Sequence, residues 1–362
     1  MKPSVSLVMP IYQVEKYLKE SLNSALKQSL SNIEIICVDD GSTDGCPAIL
    51  DEVAKTDSRV KVIHNTNHGY GYSINTGFQA ATGEYLAILE PDDLMPENAL
   101  EVLYKTASAN DIDVVKGNYC EWYQPVKGEN KLVPARLYPD NSLYGKVFNA
   151  KTNPEVLVSQ IINCTGIFKR QLVVSNDIRL SETPGASYQD VGLFFSLMTY
   201  AETIYFIDDV TYWYRNDNPA SSTKNKGKLY MAENEYIRAQ SLLMENGCSN
   251  EMLSASWCAR WRGFLGTMLR IDSSLYEELL QYIRPLVLEA DTKGLFKRRF
   301  CNAYQWEMLQ KFKKDDKLFL QALAKANGKN GKLTRLLWRV KNDGLIKTIS
   351  FLKQKREMQR SI

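Results

Sequence analysis

Tyr85-Leu86-Ala87-Ile88-Leu89-Glu90-Pro91-Asp92-Asp93 joins five apolar residues directly to an acidic tetrad. A short apolar run without polar alternation reads as a strand buried on both faces, the kind found in parallel sheets. The tetrad then lies at the strand's C-terminal end, the edge at which open α/β sheets bind ligands. Three carboxylates crowded there repel one another unless a cation lies between them. Oxygen donors favour Mg2+ or Mn2+, ions usually bound together with substrate phosphates. The pattern points to a metal–diphosphate site.

Working outward, strands and helices alternate on both sides of this run. Val5–Met9, Ile33–Val38, Val60–His64 and Val114–Gly117 read as further strands. Helices are expected over Val14–Gln28, Pro47–Ala54 (Pro47 in the first turn), Tyr72–Ala81 and from Pro96 to about Ala109. This β-α alternation predicts an α/β fold with a doubly wound, mostly parallel central sheet. Residues 119–144 carry Pro125, Pro134 and Pro139 among polar residues and read as an irregular insertion. Cys164–Phe168, Thr203–Ile207 and Val210–Tyr214 resume strand character, with a helix around Val191–Tyr200. Beyond about Gly227 the pattern is helical to the end. The expected division is residues 1–225, in halves 1–118 and 119–225, followed by a helical region 226–362.

The bulk properties are those of an ordinary globular chain. It has 362 residues, 44% apolar and 24% charged, with a net charge of +3 that does not call for nucleic acid. Seven cysteines without a C-x-x-C pair suit reduced thiols better than a disulfide framework. Val5–Met9 is too short for a signal-peptide core, and no run of ~18 apolar residues occurs. The expected location is the cytoplasm, with the inner face of the cell membrane as a variant of it. His64 and His68 are the only histidines, which argues against a zinc site.

Other segments fall at the same sheet edge. Asp39-Asp40-Gly41-Ser42-Thr43-Asp44 follows the second strand, where a carboxylate can accept from a base imide or ribose hydroxyl. The same hexapeptide also reads as a strand-ending turn with a helix cap. Pro10-Ile11-Tyr12 ends the first strand, with Tyr12 as a ring that could stack on a nucleobase or sit on the rim. Asn67-His68-Gly69-Tyr70-Gly71 and Asn75-Thr76-Gly77 place glycines where backbone could approach a phosphate. This loop lacks the Lys-Ser/Thr of a P-loop and the spacing of a dinucleotide fingerprint.

Taken in order, Pro10/Tyr12, Asp39–Asp44, Asn67-x-Gly69, Asn75-x-Gly77, Ala81-x-Gly83-Glu84-Tyr85 and the tetrad resemble the family 2 inverting glycosyltransferases of the GT-A fold. The resemblance is tight over residues 4–120 and looser to about Asn225. It implies that the tetrad stands for the D-x-D-D motif, with Asp92 and Asp93 binding Mn2+ or Mg2+ and Asp92 also the nucleotide diphosphate. Glu90 replaces the usual first Asp. By the same resemblance Asp39 and Asp40 contact uracil or ribose, Pro10 and Tyr12 frame the base, and Asn67, Gly69 and Asn75 belong to the donor site. Ser73-Ile74-Asn75 stands where the family commonly has Ala-Arg-Asn, so a basic side chain is missing. Asp190, preceded by Gln189 where Glu is frequent, occupies the position of the family's catalytic base; a helix-starting Asp serves the helix dipole as well. Tyr212-Trp213-Tyr214-Arg215, followed by Ser221-Ser222-Thr223, resembles the Y-x-Y-R…S segment. Arg215 is there to pair with diphosphate and Trp213 to form a sugar platform, or the aromatics simply pack.

In the helical region Trp257, Trp261, Tyr276, Tyr282 and Trp306 read as core. From Gly328 to Arg360 there are ten Lys or Arg against two acids, with an apolar stripe of Leu333, Leu336, Leu337 and Val340 continued by Leu345, Ile346, Ile349 and Leu352. Such a helix suits an anionic membrane surface, or a solvated face packed on its domain. The expected activity is metal-dependent, inverting transfer from a nucleotide sugar, a UDP-sugar foremost, to a hydroxyl of a glycan or lipid-linked acceptor in cell-surface polysaccharide synthesis. The alternatives are a non-catalytic glycan-binding scaffold and a nucleotidyltransferase. The latter lacks the expected Gly-rich, Lys/Arg-bearing loop at Pro10–Glu15.

Overall fold

Largely apolar runs build the centre of the sheet. Val5–Ile11 (β1), Ile33–Asp39 (β2) and Tyr85–Ile88 (β4) are buried along their whole length, as strands covered on both faces must be. Val60–His64 (β3) is more exposed and lies at an edge. The computed structural model describes residues 2–123, 131–186, 188–216, 218, 230–328, 331–343, 348, 349 and 352. Ser221–Thr223 of the expected Y-x-Y-R…S segment lie outside the described residues, as does most of the tail after Asp343. The helices joining these strands are Glu15–Leu26 (α1), Cys46–Thr56 (α2) and Tyr70–Ala80 (α3), and Ala99–Ala109 (α4) follows β4.

β3-β2-β1-β4 pair in parallel. The chain leaves β1 toward β2 and β3 and returns to β4 on the opposite side. The switch point between β1 and β4 is therefore where a crevice opens at the carboxyl ends. Pro10 is tolerated in β1 because the β1–β4 ladder ends at Val8↔Ile88, so its missing N–H breaks no bond on that side. Beyond β4 the sheet turns mixed. Val114–Tyr123 (β5), Lys131–Ala135 (β6), Val147–Phe148 (β7), Gly166–Lys169 (β8) and Ile204–Arg215 (β9) continue it in the order β8-β5-β9-β7, with β6 paired to β5. β8 runs antiparallel to β4 and β5, while β9 runs parallel to β5. Arg170–Ser175 (α5) and Gln189–Tyr200 (α6) lie between β8 and β9.

Two expectations need correction. The strand runs at Thr203–Ile207 and Val210–Tyr214 are one strand, because the Asp208-Asp209 interruption is absorbed by a register shift against β5 at Lys116/Asn118. Of the segment 119–144 expected to be irregular, Tyr119–Tyr123 are the second half of β5 and Lys131–Ala135 the strand β6, Pro125 lies outside the described residues, and 136–143 are irregular as expected. Pro134 is accommodated because β6 lies off the main strand order, paired to β5 alone.

The chain divides into two compact units, Met1–Ser222 and Thr223–Ile362. The second consists of Met231–Glu245 (α7), Asn250–Met268 (α8), Tyr276–Thr292 (α9), Ala303–Lys314 (α10), Asp316–Asn327 (α11) and Gly331–Asp343 (α12). Its core is aromatic: buried Trp261 stacks on Phe264 and meets Phe312 edge-on, each at 5.2 Å, and donates from Nε1 to Gln305 O. Among the described residues no helix is long and apolar enough to cross a membrane.

Candidate active site

The loops after β1 and β2 are stitched together at the crevice. Gln13 takes a positive φ of 53°, held by Ser42 Oγ on its N–H and by its own Nε2 donating to Thr43 Oγ1 at 2.7 Å. Glu15 N donates to Asp44, and Glu15 Oε2 accepts from Gly45 N. The preceding Tyr12 is left 48% exposed, a ring beside the crevice with an open face. Asp39 and Asp40 are both buried. Asp39 accepts from Ser42 N at 2.9 Å and meets His64 Nδ1 at 2.8 Å. The Asp39 carboxylate, with Asp51 at 3.2 Å on the other ring nitrogen, holds His64 above the usual histidine range against a smaller effect of burial.

Asp40 has a different task. Its two oxygens accept from His68 N and Gly69 N, each at 2.8 Å, and so fix the loop carrying exposed Asn67. Gly69 sits at φ +97° with a Cβ position only 2.9 Å from Gly185 N and Thr183 O, so glycine is required twice over. Asn75 clamps the same neighbouring segment: Oδ1 accepts from Leu180 N and Nδ2 donates to Leu180 O and Glu182, all at 3.0 Å. Its amide is thus spent on the loop that leads into α6.

The tetrad is cradled by the end of β9. Leu94 and Trp213 exchange backbone hydrogen bonds. Tyr212 Oη accepts from Glu90 N at 3.2 Å and donates to Asp93 Oδ2 at 2.7 Å, while Asp93 Oδ1 accepts from Arg215 N at 2.7 Å. Burial first, and then the Asp92 charge, push Asp93 well above the carboxylate range. Arg215 donates from Nε to Asp92 O and from a terminal nitrogen to Glu20, sandwiched between the Trp122 and Tyr17 rings. Its side chain is 1% exposed. The structure therefore places Asp93 and Arg215 beneath the site as its fastening.

Asp92 is only partly buried. Asn218 Nδ2 donates to its Oδ2 at 2.7 Å. Glu90 accepts from Tyr70 Oη at 2.7 Å and from the Cys164 thiol; burial, opposed by Tyr70 and reinforced by Asp92, pushes it up to about 7. Among the described residues no three His, Cys, Asp or Glu converge as a ready metal cage. This donor set fits a hard divalent ion held by one or two carboxylates and completed by substrate phosphates.

Asp190 opens α6, after Tyr188 in the left-handed region (φ 66°). Gln189 is buried, and its Nε2 donates to Thr183 Oγ1 and Gly185 O at 2.9 Å. An amide can donate to those oxygens and a carboxylate cannot, which gives a physical reason for Gln here. Asn163 Nδ2 donates to Asp190 O at 2.8 Å. The Asp190 charge acts on Glu90, Tyr70 and Lys116, so the structure brings the tetrad and the start of α6 to one centre. Sequence reasoning missed Tyr212, Asn218, Tyr70, Asn163 and Lys116 as members of this centre. For Lys116 the signal was present, as a charge within the expected strand Val114–Gly117.

The sequence profile of "Glycosyl transferase family 2" matches residues 6–168. Glycosyltransferase GlyG of Streptococcus pneumoniae is 34% identical over 223 residues, 59% of this chain and 71% of GlyG. The chain belongs to the family 2 glycosyltransferases. Glycosyltransferase EpsJ of Bacillus subtilis is 32% identical to this glycosyltransferase over 248 residues, 64% of the chain and 67% of EpsJ. Among solved structures, residues 1–349 of S. aureus TarS in complex with UDP-GlcNAc superpose with a TM-score of 0.61 at 18% identity, over 90% of this chain and 91% of that one. The glycosyltransferase spans 55% of a longer TarS structure. That likeness shows the fold, and the first unit is GT-A in architecture.

Proposed function

We propose that this glycosyltransferase moves a sugar from a UDP-sugar to a hydroxyl of a glycan or lipid-linked acceptor in cell-surface polysaccharide synthesis, with inversion at the anomeric carbon. One observation carries the reading: the partly buried carboxylate of Asp92 and the carboxylate of Asp190, far apart in the first unit's sequence, border one centre at the carboxyl edge of β1 and β4. Tyr12 offers its exposed ring to the base, and Asp39 and the Asn67–Gly69 loop held by Asp40 face the uracil and ribose. Asp92 would hold Mn2+ or Mg2+ beside the donor diphosphate. When bound, the cation offsets the charge that develops on the leaving diphosphate. Asp190 accepts the proton of the acceptor hydroxyl as its oxygen attacks the anomeric carbon. Asp93, Arg215 and Asn75 serve by holding Asp92 and the loop before α6 in place. Screening nucleotide sugars for Mn2+-dependent release of UDP or GDP tests the reading. Release from a UDP-sugar with an inverted product supports it, and no turnover with any donor despite UDP binding supports a glycan-binding scaffold instead.

For a peripheral membrane contact, helix α12 of the second unit supports the reading. At about 3.6 residues per turn, Thr334, Trp338 and Lys341 share the face of α12 that packs on its neighbours: Trp338 stacks on Tyr304 and Lys341 pairs with Glu307. Leu333 and Leu337 project elsewhere, 58% and 59% exposed, with Lys332 and Arg335 exposed beside them. An apolar stripe flanked by cations suits an anionic bilayer surface. L333E/L337E is expected to abolish binding to phosphatidylglycerol vesicles; unchanged binding excludes this face.

A further inference from the structure

Lys116 is a buried charge that the roles above leave unused. It lies on β5 between β8 and β9, opposite Gly166 and Phe206, and is 3% exposed. A lysine is almost never fully buried unless its charge is answered. Room for its stem depends on the facing strand. A Cβ at Gly166 would fall 2.8 Å from Lys116 Cγ and 2.2 Å from Val115 O. At the far end Nζ donates to Ile162 O at 2.6 Å and lies 5.7 Å from the centroid of the Phe194 ring on α6. Thr165 Oγ1 donates to the same carbonyl at 3.1 Å. The next residue, Asn163, is 5% exposed and holds Asp190 O. Lys116 and the Asp190 end of α6 therefore brace two adjacent residues, Ile162 and Asn163. The ionisable groups acting on Nζ are Asp190 on α6 and Cys164 in the intervening turn; Cys164 in turn faces Glu90, Asp93 and Tyr212.

We propose that Lys116 is a positioning residue for proton transfer: tied to Ile162, its ammonium holds the 162–163 turn against Asp190 and keeps the Asp190 carboxylate ionised until the acceptor hydroxyl releases its proton. This rests on the assignment of Asp190 as base. In the step itself the acceptor proton passes to an Asp190 oxygen, the acceptor oxygen bonds to the anomeric carbon, and the bond from that carbon to the diphosphate oxygen breaks with its electron pair leaving on the diphosphate. Lys116 gains and loses nothing in the step; it supplies charge and geometry. Burial brings its pKa down to about 8, so the ammonium is present below that value and lost above it.

The test uses the full chain, the UDP-sugar that the wild type turns over fastest, and Mn2+, over about pH 5.5 to 9.5. Lys116→Met removes charge and donor; Lys116→Gln keeps a donor for Ile162 O without charge and carries the comparison where the Met variant does not fold. Expected for both is a Mn2+–UDP affinity within about twofold of wild type, with kcat lower by about tenfold or more. The acid limb of kcat/KM moves to higher pH, and the wild-type alkaline limb near pH 8 disappears. Wild-type limbs in either variant, or loss of UDP binding in step with activity, overturn the proposal. Asp190→Asn separates the two layers: a variant that still transfers sugar removes the base assignment itself, whereas a dead Asp190→Asn beside an unshifted Lys116→Gln profile removes only the role of Lys116.

Discussion

Tyr212→Phe removes one oxygen from a position with no exposed surface, and two partners lose their bond. Glu90 N–H is left without its acceptor and Asp93 Oδ2 without its donor. A neutral hydrogen bond contributes about 1 kcal/mol net, and one to a carboxylate about 1.5–3 kcal/mol. The ring itself is unchanged, so no cavity larger than a hydroxyl opens. The sum is a loss of about 2.5–4 kcal/mol in the stability of the first unit. Urea denaturation followed by fluorescence measures it, as a lower midpoint with an unchanged slope. Because the same oxygen fastens the tetrad to β9, amide exchange at Glu90 is expected to quicken as well. A loss below about 0.5 kcal/mol with unchanged exchange would show that this hydroxyl does not anchor the tetrad.

Three further outcomes follow from named contacts. Gln189→Glu exchanges a donor for an acceptor against Thr183 and Gly185 O and sets a second charge beside Asp190. Turnover is expected to fall and proteolysis around residues 181–186 to quicken; wild-type values for both would count against the clamp. His64 has its pKa raised by Asp39, so its stabilising effect is full below the unfolded value of about 6.5 and fades as pH rises through the raised folded value. The stability difference between wild type and His64→Ala should accordingly be larger at pH 5.5 than at pH 8.5, and a difference that grows with pH would refute the linkage. In the helical unit, Glu233→Ala leaves the buried Arg260 without its carboxylate partner at 2.7 Å, at a cost of about 3–5 kcal/mol. A near-neutral change in urea denaturation would show that Arg260 re-pairs.

The parallel half of the sheet was legible because β1, β2 and β4 are largely apolar runs bounded by turn residues, and such runs read directly as buried strands. The mixed half was not. Tyr119-Cys120-Glu121-Trp122-Tyr123 shows no clear strand alternation and is followed by prolines, so its strand character rests on pairing with β6 and β9. Asp208-Asp209 looked like a break, and only the ladder to β5 shows that the strand runs through it. At the site, Asp92 and Asp40 follow strand ends and could be read from position alone. What holds them comes from far along the chain. Tyr212 reaches Asp93 across 119 positions and Asn218 reaches Asp92 across 126, distances over which no local pattern carries information. Arg215 shows what residue type alone does not say. Its residue type fits a diphosphate, but its surroundings spend the guanidinium on Glu20, Asp92 O and two aromatic rings.

The division of labour between Asp92 and Asp190 is the centre of the account, and Mn2+-dependent UDP binding measured calorimetrically beside sugar transfer for Asp92→Asn and Asp190→Asn tests it most directly. The account predicts that Asp92→Asn loses Mn2+-dependent UDP binding and transfer together, while Asp190→Asn binds Mn2+–UDP like the wild type and transfers no sugar. Undiminished Mn2+-dependent binding in Asp92→Asn, or transfer surviving in Asp190→Asn, would contradict it.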